Sequence, residues 1–252
     1  RAQPAWPERP VRVVIPFPPG STPDTAGRAV ANHFSTVFGQ PFVAENRPGA
    51  GGNIGTDAVA KATDGHTIGV SINAPLSTAK ALYPNLPYDP ARDFAPVSLV
   101  TTIPFAVVAG PSRPEIKDFA GLVAAAKRAP GWLSFGSWGV GSTAHLAFAR
   151  IAREARAEML HVPFTGQAPA MQAITASQVD AMALPAGGAD ALAKGGRARV
   201  LAVVSPERLE LLPAAPTLRE LGIGLVIGLW QALYVPARTP AAVVARLNAA
   251  AH

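Results

Sequence analysis

The stretch Leu133–Arg150, LSFGSWGVGSTAHLAFAR, constrains the fold more than any other. Leu133-Ser134-Phe135 reads as the end of a short buried strand, and Gly136, Gly139 and Gly141 break its pattern. Ser142-Thr143 then open a helix, because Leu146, Ala149 and Ile151 recur at helical spacing. A glycine-rich turn that runs straight into a helix leaves the N–H groups of the first turn without acceptors. The helix dipole adds partial positive charge there, so such a turn suits a phosphate or a carboxylate. Ser137, Ser142 and Thr143 add hydroxyls. The same residues also describe an ordinary helix with Ser142 as its N-cap, and on this stretch alone both readings stand.

Val11–Phe38 repeats the arrangement. Val11–Pro16 is a strong strand, Phe17–Asp24 a tight turn, and Ala26, Ala29, Val30, Phe34 and Phe38 fall on one side of the helix that follows. Ser21, Thr22 or Asp24 could cap this helix, and Pro23 suits its first turn.

Strands and helices alternate through the rest of the chain, which predicts an α/β fold with mostly parallel sheets. Phe42–Ala44, Thr67–Ile72, Phe94–Val100, Phe105–Ala109, Met159–Val162, Val179–Ala183 and Val200–Val204 read as strands. Asn73–Ser77 reads as a third polar loop, Leu209–Leu221 as short helices around Pro213 and Pro216, and Leu225–Val235 as extended chain. The two Gly-Ser-Thr stretches fall in separate halves, with crossings near Thr101–Phe105 and Gly222–Gly228. The expected domains are residues 1–102 with 225–252, and residues 103–224, with a ligand cleft between them. Two halves joined by two crossings make a hinged clamshell, and ligands in such folds bind beyond the carboxyl ends of strands.

A length of 252 residues fits one large domain or two of about 100–150 residues each. Hydrophobic residues make up 49% and charged residues 15%, enough to bury a core, and no run of 18 apolar residues marks a membrane span. The net charge of +6 is scattered, and Arg150, Arg153 and Arg156 read as a solvated helix face. No basic run tracks a nucleic-acid backbone, so nucleic acid is not an expected partner. The absence of cysteine excludes disulfides and thiolate chemistry. Arg1–Pro7 reads as a mature N-terminus left after a signal peptide is removed.

Enzyme readings fare poorly. Gly139–Ala144 fits G-x-G-x-x-A, but the next strand ends in Pro163-Phe164 and lacks the acid a ribose needs. A nucleophile elbow requires G-x-S-x-G, and Ser142 lacks the closing glycine. No carboxylate is placed to orient His145, which reads as a capping or cleft-lining residue. His33 and His161 show no metal-ligand spacing with Asp or Glu. Asp24 reads first as an acid complementing the helix dipole, and second as a partner for a ligand amine or water. Asp180 allows the same two roles, and Trp230 reads as core or hinge packing.

Several motifs occur together: Ile15–Gly20 (IPFPPG) with Asp24, Glu45–Gly55 (ENRPGAGGNIG), Leu82-Tyr83-Pro84 with Leu86–Pro90 and Asp93–Val97, Gly141-Ser142-Thr143 with His145-Leu146, His161–Phe164, and Gln178-Val179-Asp180. On these residues the chain resembles, over nearly its whole length, the periplasmic substrate-binding proteins of tripartite tricarboxylate transporters, the Bug-type receptors. The resemblance implies a two-domain, type II periplasmic-binding-protein-like clamshell with a two-strand hinge. It implies a periplasmic, monomeric solute receptor without catalysis, metal or cofactor. Such a receptor would deliver a dicarboxylate, acidic amino acid or aromatic carboxylate to membrane permease subunits.

Carried over, the family's ligand-holding positions are Phe17, Gly20, Ser21, Thr22 and Asp24 on one wall, and Ser137, Gly141, Ser142 and Thr143 on the other. Trp138, His145, Ala74, Ser77, Thr165 and Asp180 are further candidates. Ser21 stands where the family usually has a second glycine, Trp138 where it has a small residue, and Ala232 and Arg238 where it often has glycine. Family members also run tens of residues beyond the position of His252, which implies a further terminal segment.

Overall fold

A computed structural model describes residues 6–252, so the reading of Arg1–Pro7 falls mostly outside the described residues. The first half contains β1 (Val11–Ile15), α1 (Thr22–Phe38), β2 (Phe42–Asn46), α2 (Asn53–Ala60), β3 (Thr67–Ile72) and α3 (Ala79–Leu82). Then follow β4 (Phe94–Ala109), α4 (Phe119–Arg128), β5 (Ser134–Ser137), α5 (Thr143–Ala155), β6 (Leu160–Pro163) and α6 (Gln167–Thr175). The chain closes with β7 (Ala181–Pro185), α7 (Ala186–Lys194), β8 (Arg199–Val203), β9 (Gly228–Pro236) and α8 (Ala241–Ala250). Two compact units result. One runs to Thr102 and resumes at Trp230, and the other is Ile103–Leu229.

In the first unit β1 lies between β2 and β3 and is parallel to both, with Val13 opposite Ala44 and Ile68. β9 adds to β3 antiparallel, with Gly69 opposite Tyr234 and Ile72 opposite Gln231. Alternating side chains feed two faces. Val11, Val13, Ile68, Val70, Leu233 and Val235 pack with Ala31 and Phe34 of α1 and Leu247 of α8. Val14 and Tyr234 pack on the opposite face with Val59, Tyr88 and Phe94.

The second unit is built alike. β5 is parallel to β6 and to β7, and β4 pairs antiparallel with both β7 and β8. Ala106, Val108, Ile174, Met182, Leu184, Leu192 and Val203 form one buried cluster. The strands that connect strand to helix to strand are parallel, and the strands that carry the chain between units are antiparallel.

Three local readings change. Phe94–Ala109 is one strand rather than two, because Pro104 precedes the ladder with β7, which begins at Phe105, and so needs no N–H there. Leu209–Leu221 forms turns and no helix, since Pro213 and Pro216 remove donors within one turn of each other. Asn73–Ser77 is not an open loop: Ala74–Thr78 makes a π-helical turn continuous with α3.

Candidate functional site

β1 delivers the chain to Pro16–Gly20. Ser21 then caps α1 with φ −74° and ψ 160°, its Oγ accepting from the Asp24 N–H at 3.4 Å and donating to Pro18 O at 2.7 Å. Gly20 has φ +77°, a conformation that favours glycine. Its N–H donates to Asp24 Oδ2 at 2.9 Å. Asp24 is 4% exposed. It also accepts from Asn46 Nδ2 at 2.8 Å and from Arg28 Nε at 3.0 Å. Asn46 Nδ2 reaches Phe17 O as well, at 2.9 Å. Burial by itself raises this carboxyl's pKa, but hydrogen bonds from Arg28, Asn46 and Gly20 and the Arg28 charge outweigh it and hold Asp24 at about 2.

Asp24 is therefore the clasp of its loop, and the Gly20 N–H is occupied by it rather than open to a ligand. Pro23 carries no N–H and Ser21 takes that of Asp24, so the first turn of α1 leaves exposed Thr22, with its N–H and hydroxyl. Two further loops of the unit support this one. A Cβ on Gly52 would lie 2.8 Å from Phe17 Cζ and 3.2 Å from Pro75 Cγ, so only glycine lets the three loops meet. Tyr88 Oη shares its proton between Asn53 Oδ1 at 2.9 Å and Pro75 O at 2.8 Å. Ala74 is half-buried in the π-helical turn, and exposed Ser77 donates to Asn73 O at 2.7 Å.

In the second unit β5 delivers the chain to Trp138–Gly141. Ser142 caps α5 with φ −64° and ψ 157°, its Oγ accepting from the His145 N–H at 3.3 Å. Gly141 has φ +78°, and its N–H donates to His145 Nδ1 at 3.0 Å. The His145 ring stacks on His161 at 4.0 Å between centroids, and Phe135 stacks on His161 at 4.9 Å. His161 Nε2 lies 2.7 Å from Ser137 Oγ, which also accepts from the Gly139 N–H at 3.2 Å. Burial lowers the pKa of His145. It lowers that of His161 too, with the charge of His145 adding to the effect. Both shifts favour the neutral ring, the state in which Nδ1 can accept. The cap takes His145's N–H, and Ala144 in the same turn is fully buried.

β6 runs parallel to β5, and the Phe164 N–H donates to Ser137 O at 2.8 Å, so exposed Thr165 leaves the same edge of the sheet. β7 leaves that edge too. It runs directly into α7, whose start Ala186-Gly187-Gly188 has no side-chain cap. The Pro-Ala-Gly-Gly run after an apolar strand signals this third helix start, and the helix expected over Gly187–Lys194 is α7, Ala186–Lys194.

Three candidates have other work. Ser137 is fully buried and holds the Gly139 turn and His161. Trp138 turns inward, edge-on to Phe105 at 5.7 Å and against the buried cluster of β4 and β7. Asp180 precedes β7, so it lies at the amino edge of strands whose carboxyl edge carries Ser142. Its carboxylate accepts from Arg113 Nε at 2.7 Å, Ser112 Oγ at 3.0 Å, and the Ser134 N–H and Oγ at 2.8 and 3.0 Å. Burial raises its pKa, and these donors outweigh burial and lower it. That saturated, structural carboxylate corrects the expectation of a ligand contact at Asp180. Among the described residues no group of three or more His, Cys, Asp or Glu is placed to hold a metal ion, and no helix is long and apolar enough to cross a membrane.

Residues 26–252 match the family model described as "Tripartite tricarboxylate transporter family receptor". The chain belongs to this family. It is therefore a solute-binding receptor of a periplasmic type and not an enzyme, which sets aside the dinucleotide and hydrolase alternatives. A Pseudomonas protein encoded in a tcbD–tcbE intergenic region is 42% identical over 250 residues, 97% of this chain and 73% of that protein. MatC from Rhodopseudomonas palustris, solved with bound malate, is 35% identical with a TM-score of 0.83, over 98% of this chain and 84% of that one. A second R. palustris protein, solved with adipate, is 32% identical with a TM-score of 0.86, over 98% and 83% of the two chains.

Proposed function

We propose that this receptor binds a small carboxylate and delivers it to the membrane subunits of a tripartite transporter as a periplasmic monomer. The observation that carries the reading is the recurrence, once in each unit, of a glycine–serine–threonine turn at a helix start, with exposed Thr22 left over as a donor in the first. Two relatives of the same fold and above 30% identity were solved with malate and with adipate, which supports a carboxylate as the ligand. Backbone N–H groups and hydroxyls stabilise the anion without burying an opposing charge, so binding stays reversible enough for delivery.

In this reading each turn offers donors to a carboxylate, and the conformational change that binding favours is what the membrane subunits sense. Dicarboxylates, acidic amino acids and aromatic carboxylates are the classes to compare. Thermal-shift titration with malate, adipate, aspartate and benzoate is the test. Stabilisation by at least one, weakened in Thr22→Pro, supports the reading. Stabilisation by none, or stabilisation unchanged in Thr22→Pro, overturns it.

A further inference from the structure

Gln231 is fully buried, yet neither Nε2 nor Oε1 of its amide has a hydrogen-bond partner among the described residues. Folded proteins seldom keep a buried amide unpaired without a use for it.

Its place follows from register. Gln231 pairs with Ile72, the last residue of β3. β3 is parallel to β1, so this is the edge from which the Phe17–Ser21 loop departs. Along β9, Gln231 shares its face with Leu233 and Val235, which pack with Ala31 and Phe34 of α1. Gly27 fixes the height of α1 over the sheet: a Cβ there would lie 2.5 Å from Ile15 Cδ1 and 3.7 Å from Val70 Cβ. One turn earlier α1 holds Pro23 and Asp24, at the level of Ile72 and Gln231 two residues beyond Val70. The amide and the exposed Thr22 thus share one edge and one face of the first unit. The other buried, unpartnered oxygens on these strands, Ser71 Oγ and Tyr234 Oη, belong to the opposite face.

We infer that Gln231 is a ligand-binding residue: Nε2 donates to the carboxylate held at Thr22, and Oε1 accepts from a hydroxyl or ammonium group of the same ligand. The inference rests on the carboxylate-receptor reading above and narrows it. A plain dicarboxylate offers acceptors alone and satisfies only Nε2. A hydroxy- or amino-substituted carboxylate satisfies both ends, so substitution beside the carboxylate is what this residue reads.

Isothermal titration of the wild type, Gln231→Leu and Gln231→Glu with succinate, malate and aspartate tests this, alongside urea unfolding of each protein without ligand. The wild type binds malate or aspartate at least tenfold more tightly than succinate. Gln231→Leu abolishes that preference and weakens binding tenfold or more. Its unfolding midpoint stays equal or rises, because leucine leaves no polar atom unpaired. Gln231→Glu keeps the size and places an acceptor against the anion, so it too binds at least tenfold more weakly. Unchanged malate affinity and preference in both variants overturn the inference and leave the receptor reading standing. A lowered midpoint in Gln231→Leu with unchanged affinity does the same, by showing a structural role. A wild type that binds none of the three carboxylates overturns the receptor reading itself.

Discussion

Gly20-Ser21-Thr22-Pro23-Asp24 and Gly141-Ser142-Thr143-Ala144-His145 form one turn twice, in separate units. Each has a glycine near φ +78° or +77° followed by an extended serine N-cap. In each, the glycine N–H donates to the side chain four residues on, at 2.9 Å to Asp24 and 3.0 Å to His145. The difference lies in what closes the turn. In the first unit it is a buried carboxylate set among Arg28 and Asn46, and in the second a neutral imidazole stacked on His161. The backbone geometry sets where the donors sit, and the closing side chain sets the conditions under which they stay there.

The largest expected effect separates the two clasps by stability. Asp24→Ala strips partners from Gly20, Asn46 and Arg28 together, and costs about 3 kcal/mol. His145→Ala removes one neutral acceptor and some stacking, and costs about 1 kcal/mol. Urea unfolding of both variants measures this, and equal losses would show that the two turns are held by something other than their closing groups.

Next comes pH. His145 and His161 have lowered pKa values in the folded chain. A base that is harder to protonate when folded contributes stability above its unfolded value, about 6.5, and loses it as pH falls through the lower folded one. Protonated Nδ1 also stops accepting from Gly141. The Asp24 clasp, held at about 2, contributes above the unfolded carboxyl value and is lost only as pH approaches 2. Carboxylate affinity should therefore hold above about pH 6.5 and fall as pH drops below it, through the second turn alone. His145→Gln keeps an acceptor that does not titrate, so it should flatten the profile. An unaltered profile in that variant would place the titration elsewhere.

The first turn carries proline where the second carries alanine, and this sharpens the comparison. Ala144→Pro makes the second turn match the first. Proline suits a first helical turn and removes one N–H, but Ala144 is fully buried, so the variant's urea unfolding midpoint is measured beside its affinity. An affinity loss of about tenfold is expected, the equivalent of about 1.4 kcal/mol. Titration with malate reads it, and an undiminished affinity would mean that Ala144 donates to nothing.

Much of the architecture was visible in the chain because it is periodic: apolar strands, glycine breaks and helical spacing identify β1–α1 and β5–α5 without coordinates. The polarity of the strands was visible too, and it is what corrects Asp180, a residue before a strand when ligand loops follow strands. What could not be read is the direction of side chains inside irregular loops. Trp138 turns to Phe105, and Gly20 and Gly141 lose their N–H groups to residues four positions on. None of these choices leaves a period. Gln231 is hidden for another reason. It sits within the apolar run GLWQALYVP of β9, and only the pairing with Ile72 gives it an edge and a face.

The smallest effect tests whether the two turns are equal in their caps. Ser21→Ala and Ser142→Ala each remove an acceptor for a first-turn N–H, at 3.4 and 3.3 Å, so each should cost about 0.5–1 kcal/mol, the low end for a serine cap. Ser21 has one contact that Ser142 lacks among the described hydrogen bonds, the donation from Oγ to Pro18 O at 2.7 Å. Ser21→Ala should therefore fall at the upper end of that range and Ser142→Ala at the lower. Glycine at either position restores most of the loss, because the extended cap conformation does not depend on a side chain. A Ser142→Ala loss larger than that of Ser21→Ala would mean that the imidazole clasp leans on its cap, and that the carboxylate clasp holds its turn alone.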